Sequence, residues 1–379
     1  ERVITLDTHD DIPFNFATEE VDPGVDGERQ VDLPKMRRGG LDVAFFIVYV
    51  GQTERTPENY EKAKADALTK FEAIHRMAEQ MYPEEIEIAY TADDVERIHR
   101  AGKLVACIGI ENGYVIGKDL RLLEKYHRLG GRYITLAHGG HNDICDSATP
   151  RQGLGDAEEE HGGVSEFGQK VIAEMNRLGI MVDVSHISKK SMLQAARLSR
   201  APVIASHSAT RALCDHPRNM DDEQLLALKE NGGVIQVVAL DSFVKKAPAE
   251  KEEAIDRLRE ELGIRSFRDF RSLSEAKRAE YERRRQEIDA KWPPANVSDF
   301  VDHIDHAVKL IGIDHVGISS DFDGGGGIQG WNNAAETLNV TRELVRRGYS
   351  EADIAKLWSG NLLRVWRQVE QVAAQLQAQ

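Results

Sequence analysis

The amino-acid sequence predicts a (β/α)8 barrel of the TIM type with a charged helical insertion after the seventh strand. Three observations predict it. Short apolar runs alternate with amphipathic stretches along nearly the whole chain. Runs such as AFFIVYV and KLVACIGI are almost continuously apolar, as parallel strands covered on both faces require. The alternation repeats eight times, and the turn after the first run, Asp7-Thr8-His9-Asp10-Asp11, lacks the glycines that an open doubly wound sheet places there.

Taken in order, the first strand is expected from Val3 to His9 and the second from Leu41 to Val50, followed by a helix from Tyr60 to Met81. The third strand runs from Lys103 to Glu111, and a helix from Leu120 to Leu129 stops at Gly130-Gly131 before the fourth, Arg132 to His138. A helix from Glu166 to Leu178 ends at Gly179, where the fifth strand begins and runs to His186. Ser188 is a candidate N-cap for a helix from Lys189 to Leu198, which leads to the sixth strand, Pro202 to His207. Asp221 caps a helix from Asp222 to Asn231, and the seventh strand spans Gly233 to Leu240. From Lys245 to Lys291 acidic and basic residues mix at helical spacing, which reads as an exposed insertion ending at Pro293-Pro294. A helix from Val297 to Ile311, the eighth strand from Asp314 to Asp321 and a closing amphipathic helix from Asn361 to Gln377 complete the series. With 379 residues the expectation is a single domain over 1–379, with 245–293 as an insertion within it.

Composition narrows the function classes. The chain is 41% hydrophobic and 30% charged, with no apolar run approaching the roughly 18 residues of a membrane span. Its net charge of −15 argues against a nucleic-acid partner, whose phosphates it would repel. Cys107, Cys145 and Cys214 are too few for a disulfide framework, and Cys107 lies in an apolar run as a buried inert thiol would. The chain starts on a strand pattern, as one trimmed of a leader would, which leans toward a periplasmic or secreted location.

The polar residues at the strand ends carry the chemistry. In such a barrel, side chains at the C-terminal ends of strands line the site. Here those ends hold His9 and Asp11, Glu111, His138, His186, His207 and Asp321. One histidine at a strand end is more often a surface or core residue; six strands ending in His, Asp or Glu point to a metal site. His9 and Asp11 alternate onto the same side and can reach one ion. Imidazole and carboxylate donors suit zinc, and the five of them exceed what one catalytic zinc takes. Two ions would use them, with His9 and Asp11 on one, His186 and His207 on the other and Glu111 between. A hydroxide shared by such a pair is a nucleophile at neutral pH.

These residues resemble those of the membrane (renal) dipeptidase family of the amidohydrolase superfamily. The resemblance extends from Asp7 to about Trp366 and rests on Asp7-Thr8-His9-Asp10-Asp11-Ile12-Pro13, Ile110-Glu111-Asn112-Gly113 and Tyr133-Ile134-Thr135-Leu136-Ala137-His138. In the second half it rests on Met181 to His186, Ala201 to Ser208 and His315 to Gly324. It implies a two-zinc dipeptidase acting on L-L and L-D dipeptides, with the same five ligands, and it admits a homodimer. It implies that His138 contacts the substrate and stabilises the oxyanion, that Arg218 holds the terminal carboxylate, and that Asp321 moves the proton, with Asp323 as a competitor for that role. Asp10 stands where many relatives carry Asn, adding a negative charge beside the site. The rivals are another amidohydrolase activity (lactonase, phosphotriesterase or N-acyl amino acid deacetylase) and a non-catalytic zinc-binding scaffold. Many two-metal members of the first kind bridge their ions with a carboxylated lysine at the fourth strand, where this chain has His138. A scaffold would be expected to lack a ligand or the aspartate. The run Gly324 to Gly327 reads as flexible backbone beside the site, and His303 and His306 as solvated surface.

Overall fold

The strands Val43–Tyr49 and Leu104–Glu111 form because each is apolar on both faces, whereas Leu6–Asp11 is buried although mostly polar. On β2 (Val43–Tyr49), Ala44, Phe46 and Val48 pack outward under the helices, while Val43, Phe45 and Ile47 join a second buried cluster with Val105, Cys107 and Tyr133. The structure is a computed structural model and describes residues 3–265, 269–270 and 272–379; Glu1, Arg2, 266–268 and Arg271 lie outside the described residues. The strands are β1 (Leu6–Asp11), β2, β3 (Ile86–Ile88), β4 (Leu104–Glu111), β5 (Gly131–Thr135), β6 (Met181–Asp183), β7 (Ile204–Ser208), β8 (Val234–Val238) and β9 (Val316–Ser319). They pair in parallel in the order β1-β2-β4-β5-β6-β7-β8-β9, with β3 added beside β4. The ring closes where the Asp11 amide donates to the Phe322 carbonyl at 2.9 Å. The short β3 is absent from the sequence reading because three residues carry too little periodicity to stand out.

Register brings the strand ends level. Tyr49 pairs with Glu111, Glu111 with Thr135, and Thr135 with Asp183, so one rung crosses four strands just below the mouth. The opposite mouth is plugged by the helix Asn361–Gln377, whose Leu362, Leu363, Val365, Trp366 and Val369 join the cluster inside. Trp366 lies 6.0 Å from the Phe45 ring. Several strands are shorter than the sequence suggested, among them β9, which stops at Ser319, two residues before Asp321. β6 ends at Asp183, three residues before His186, and β5 ends at Thr135, three before His138. Helices match more closely: Glu166–Leu178, Lys189–Leu198 and Asp222–Asn231 carry the expected caps at Ser188 and Asp221 and the left-handed Gly179 at φ 83°.

The charged insertion follows β8, the seventh strand of the ring. Its helices Ala249–Leu262 and Glu275–Lys291 pack on each other through Leu258, Leu262, Tyr281 and Ile288, and no residue of the second is buried. His303 differs from expectation. It is buried, receives the Thr210 amide at 3.1 Å and bonds the Val244 carbonyl at 2.9 Å, so it ties the helix Val297–Ile311 to the barrel rim. All three cysteines are free and buried. Among the described residues no helix is long and apolar enough to cross a membrane.

Candidate metal centre

Four imidazoles converge on the Glu111 carboxylate at the barrel mouth, and two further carboxylates flank one of them. His9 Nε2 lies 3.5 Å from Glu111 Oε2, and Asp11 Oδ2 lies 3.6 Å from His9 Nε2. On the other oxygen, Oε1, stand His186 Nε2 at 2.9 Å, His207 Nε2 at 3.4 Å and His138 Nε2 at 3.6 Å. Asp321 Oδ1 approaches His9 Nε2 at 3.9 Å. Among the described residues, three groups could each hold an ion: His9, Glu111 and His207; Glu111, His138 and His186; and His9, Asp11 and Asp321. Every predicted residue of the set is brought together except Arg218, which stands one layer back beside His207.

Whether these residues fit metal ions is decided by their hydrogen atoms. The Tyr133 hydroxyl donates to the Thr8 carbonyl at 3.0 Å, so its single proton is committed there. His9 Nδ1, 2.9 Å from the same oxygen, must therefore be the donor, which turns a lone pair at Nε2 toward the acids. That fully buried Nε2 has no hydrogen-bond partner. His207 repeats the arrangement: Ser206 Oγ donates to Asp183 Oδ2 at 2.6 Å and accepts from His207 Nδ1 at 2.8 Å. The Nε2 atoms of His186 and His207 then lie 2.7 Å apart, two nitrogens facing each other beside a carboxylate. Such a set of imidazole and carboxylate donors, with His9 and His207 oriented from behind, fits zinc.

Electrostatics agrees with that reading. Burial opposes a charge on His9, but Glu111 and Asp11 outweigh it and hold its pKa well above the ordinary imidazole range. The position attracts a positive charge, whether proton or metal ion. Burial is also outweighed at Glu111, where His138 and His9 keep the carboxyl well below the usual range. His186 and His207 are pushed well down, first by burial and then by Arg218 and by His9 respectively. Burial lifts Asp321 well above the carboxylate range, with Asp11 and Glu111 adding to it against His9. Asp10 is held toward its neutral form by burial and by Asp7, so it adds less charge than its sequence position suggested.

The loop after β9 shows why glycine is needed there. Asp321 and Asp323 both take left-handed backbone, at φ 60° and 61°, and His186 does so at 68°. A Cβ on Gly324 would lie 2.3 Å from Asp11 Oδ2 and 2.4 Å from Asp321 Oδ1. The glycine run is thus a close approach of backbone to two carboxylates, not slack. Asp323 does not share the site. It accepts from the Gln30 and Val31 amides and pairs with Arg29 at 3.0 Å, while Arg29 also donates to the Asp11 carbonyl. Sequence reasoning missed Tyr133, Asp183 and Ser206 as orienting groups, although all three stand inside the quoted motifs.

Arg218 is buried, with burial pulling its pKa down to about 10 against Glu111 and Asp321. One nitrogen donates to the His207 carbonyl at 3.2 Å, its Nε has no partner, and it forms no ion pair with a described residue. Its guanidinium lies 5.4 Å over the Phe243 ring. His138, half-buried, likewise has an Nδ1 without a partner.

The model of the membrane dipeptidase family, peptidase family M19, matches residues 1–379. The chain belongs to that family. Among family relatives, the dipeptidase tcpJ of Claviceps purpurea is 33% identical over 357 residues, covering 93% of this chain and 72% of that protein. The dipeptidase aclJ of Aspergillus oryzae is 33% identical over 354 residues, covering 92% and 72%. The crystal structure of the probable dipeptidase PvdM from Pseudomonas aeruginosa superposes with a TM-score of 0.86 at 35% identity, covering 98% of this chain and 96% of that one. The family's activity makes this chain a metal-dependent dipeptidase on a (β/α)8 barrel.

Proposed function

We propose that the chain hydrolyses dipeptides with two zinc ions, one on His9 and Asp11 and one on His186 and His207, bridged by Glu111. The observation that carries this reading is the division of Glu111: Oε2 faces His9 while Oε1 faces His186 and His207. Zinc bound there would supply a hydroxide nucleophile at neutral pH, since it lowers the pKa of water from about 15.7 toward 7. Arg218 grips the substrate's terminal carboxylate through the guanidinium N–H groups that the His207 carbonyl leaves free, which fixes the scissile bond over Glu111. His138, kept neutral because burial lowers its pKa, hydrogen-bonds the scissile carbonyl oxygen and stabilises the charge that develops on it. Asp321, whose carboxyl has a raised affinity for a proton, takes one at Oδ1 from the attacking water and passes it to the leaving amine. L-L and L-D dipeptides are both candidate substrates, and the assembly is expected to be a homodimer.

The test is turnover of L-L and L-D dipeptides, one lactone and one phosphotriester by metal-depleted and zinc-restored protein. Zinc-dependent cleavage of dipeptides alone is the expected result. No cleavage of any dipeptide by protein holding two zinc ions per chain would overturn the reading.

A further inference from the structure

A buried ammonium stands across the barrel mouth from Arg218. Lys70 lies on the helix Pro57–Arg76 after β2 and is only 4% exposed. Its Nζ sits 5.2 Å from the Phe14 ring centroid and 5.7 Å from that of Tyr49. No described residue gives the amine a hydrogen bond or an ion pair. A lysine so buried ordinarily has a carboxylate or carbonyl against it, because desolvating an unpaired ammonium is strongly unfavourable. Burial pulls its pKa down, opposed from a distance by Asp11 and Glu111. The two ring faces hold the charge in place without neutralising it.

The topology sets this amine opposite Arg218. Phe14 follows β1 and Tyr49 ends β2, so the amine between their rings stands on the β1–β2 side of the barrel, and β2 lies four places round the ring from β7, whose following loop carries Arg218. Tyr49, level with Glu111 in the register, has its ring 4.7 Å from that of His138. A dipeptide held at its carboxylate by Arg218, with its scissile group over Glu111, directs its amino-terminal residue toward Tyr49 and Lys70. We propose that Lys70 is a specificity-determining residue whose ammonium pairs with an acidic side chain on that amino-terminal residue, so that preferred substrates begin with aspartate or glutamate. This rests on the dipeptidase reading above, with Arg218 at the terminal carboxylate. On a chain with a net charge of −15, a buried cation supplies the local attraction that an anionic substrate needs.

The experiment compares kcat/KM of zinc-loaded protein on matched pairs that differ only in charge, L-Glu-L-Ala with L-Gln-L-Ala and L-Asp-L-Ala with L-Asn-L-Ala. The wild type is expected to favour the acid over its amide by about tenfold or more. The ratio should fall to about one in Lys70→Met and persist in Lys70→Arg, which keeps the charge. Lys70→Glu should favour L-Lys-L-Ala over L-Glu-L-Ala. Equal wild-type values for acid and amide would overturn the proposal, and so would a Lys70→Met variant that keeps the ratio. Cleavage of none of these dipeptides would instead overturn the dipeptidase reading beneath it.

Discussion

Replacing Tyr133 with phenylalanine removes a single oxygen at the point where the metal centre meets the barrel core. That oxygen accepts from His9 Nδ1 at 2.9 Å and donates to the Thr8 carbonyl at 3.0 Å. The ring cannot shift to compensate. It packs 5.4 Å from Phe45 and fills the space that Gly109 leaves on β4, where a Cβ would lie 2.2 Å from the ring. The variant therefore leaves two buried polar groups unpaired, at about 1–3 kcal/mol each, and frees His9 to carry its proton at Nε2 instead. Loss of such an orienting partner weakens metal binding about 10–100-fold, which is about 1.4–2.7 kcal/mol. Zinc titration against a competing chelating dye measures the two sites, and thermal unfolding of the zinc-depleted protein measures the fold. The expected result is a site on His9 and Asp11 weakened at least about tenfold while the site on His186 and His207 stays within about threefold. A variant that is less stable yet binds zinc as tightly as the wild type would refute the orienting role.

Other side chains give sharper or simpler outcomes. His138→Leu should keep both ions and lose about 10²–10³ in kcat, as loss of an oxyanion contact does; loss of metal would make His138 a ligand instead. Arg218→Met should lower kcat/KM about 10–100-fold on dipeptides but have little effect on their C-terminal amides, and an equal loss on both would remove Arg218 from the carboxylate. Gly324→Ala forces a Cβ against Asp11 and Asp321 and should lower kcat about 10²-fold or more with the circular dichroism of the fold preserved.

The barrel and the cluster of side chains at its mouth were legible in the sequence because each rests on a short-range signal. Apolar runs such as Ala44 to Val50 announce strands, and His9, Asp11, Glu111 and His207 stand at strand ends where the barrel presents its chemistry. The errors lie where the backbone leaves regular geometry. Val184-Ser185-His186 reads as the end of a strand, yet the chain has already turned, and the left-handed His186 reaches the site from beyond β6. Gly324 looked like slack because its neighbours, Asp11 and Asp321, come from opposite ends of the chain. Lys70 shares a helix with Lys62 and Lys64, and nothing in its spacing sets it apart; only the packing of Phe14 and Tyr49 buries it. His303 reads as surface in the sequence because Asp302 and Asp305 flank it, whereas those two acids bind Arg347 outside while the imidazole points inward.

The central claim is that Glu111 bridges two ions, and counting zinc in the wild type and in Glu111→Ala while following dipeptide turnover tests it most directly. The expected result is two zinc ions per wild-type chain, turnover that rises with the second ion, and a Glu111→Ala protein that is folded, depleted of zinc and inactive. A wild-type chain that reaches full activity with one ion, or a Glu111→Ala chain that keeps two, would contradict it.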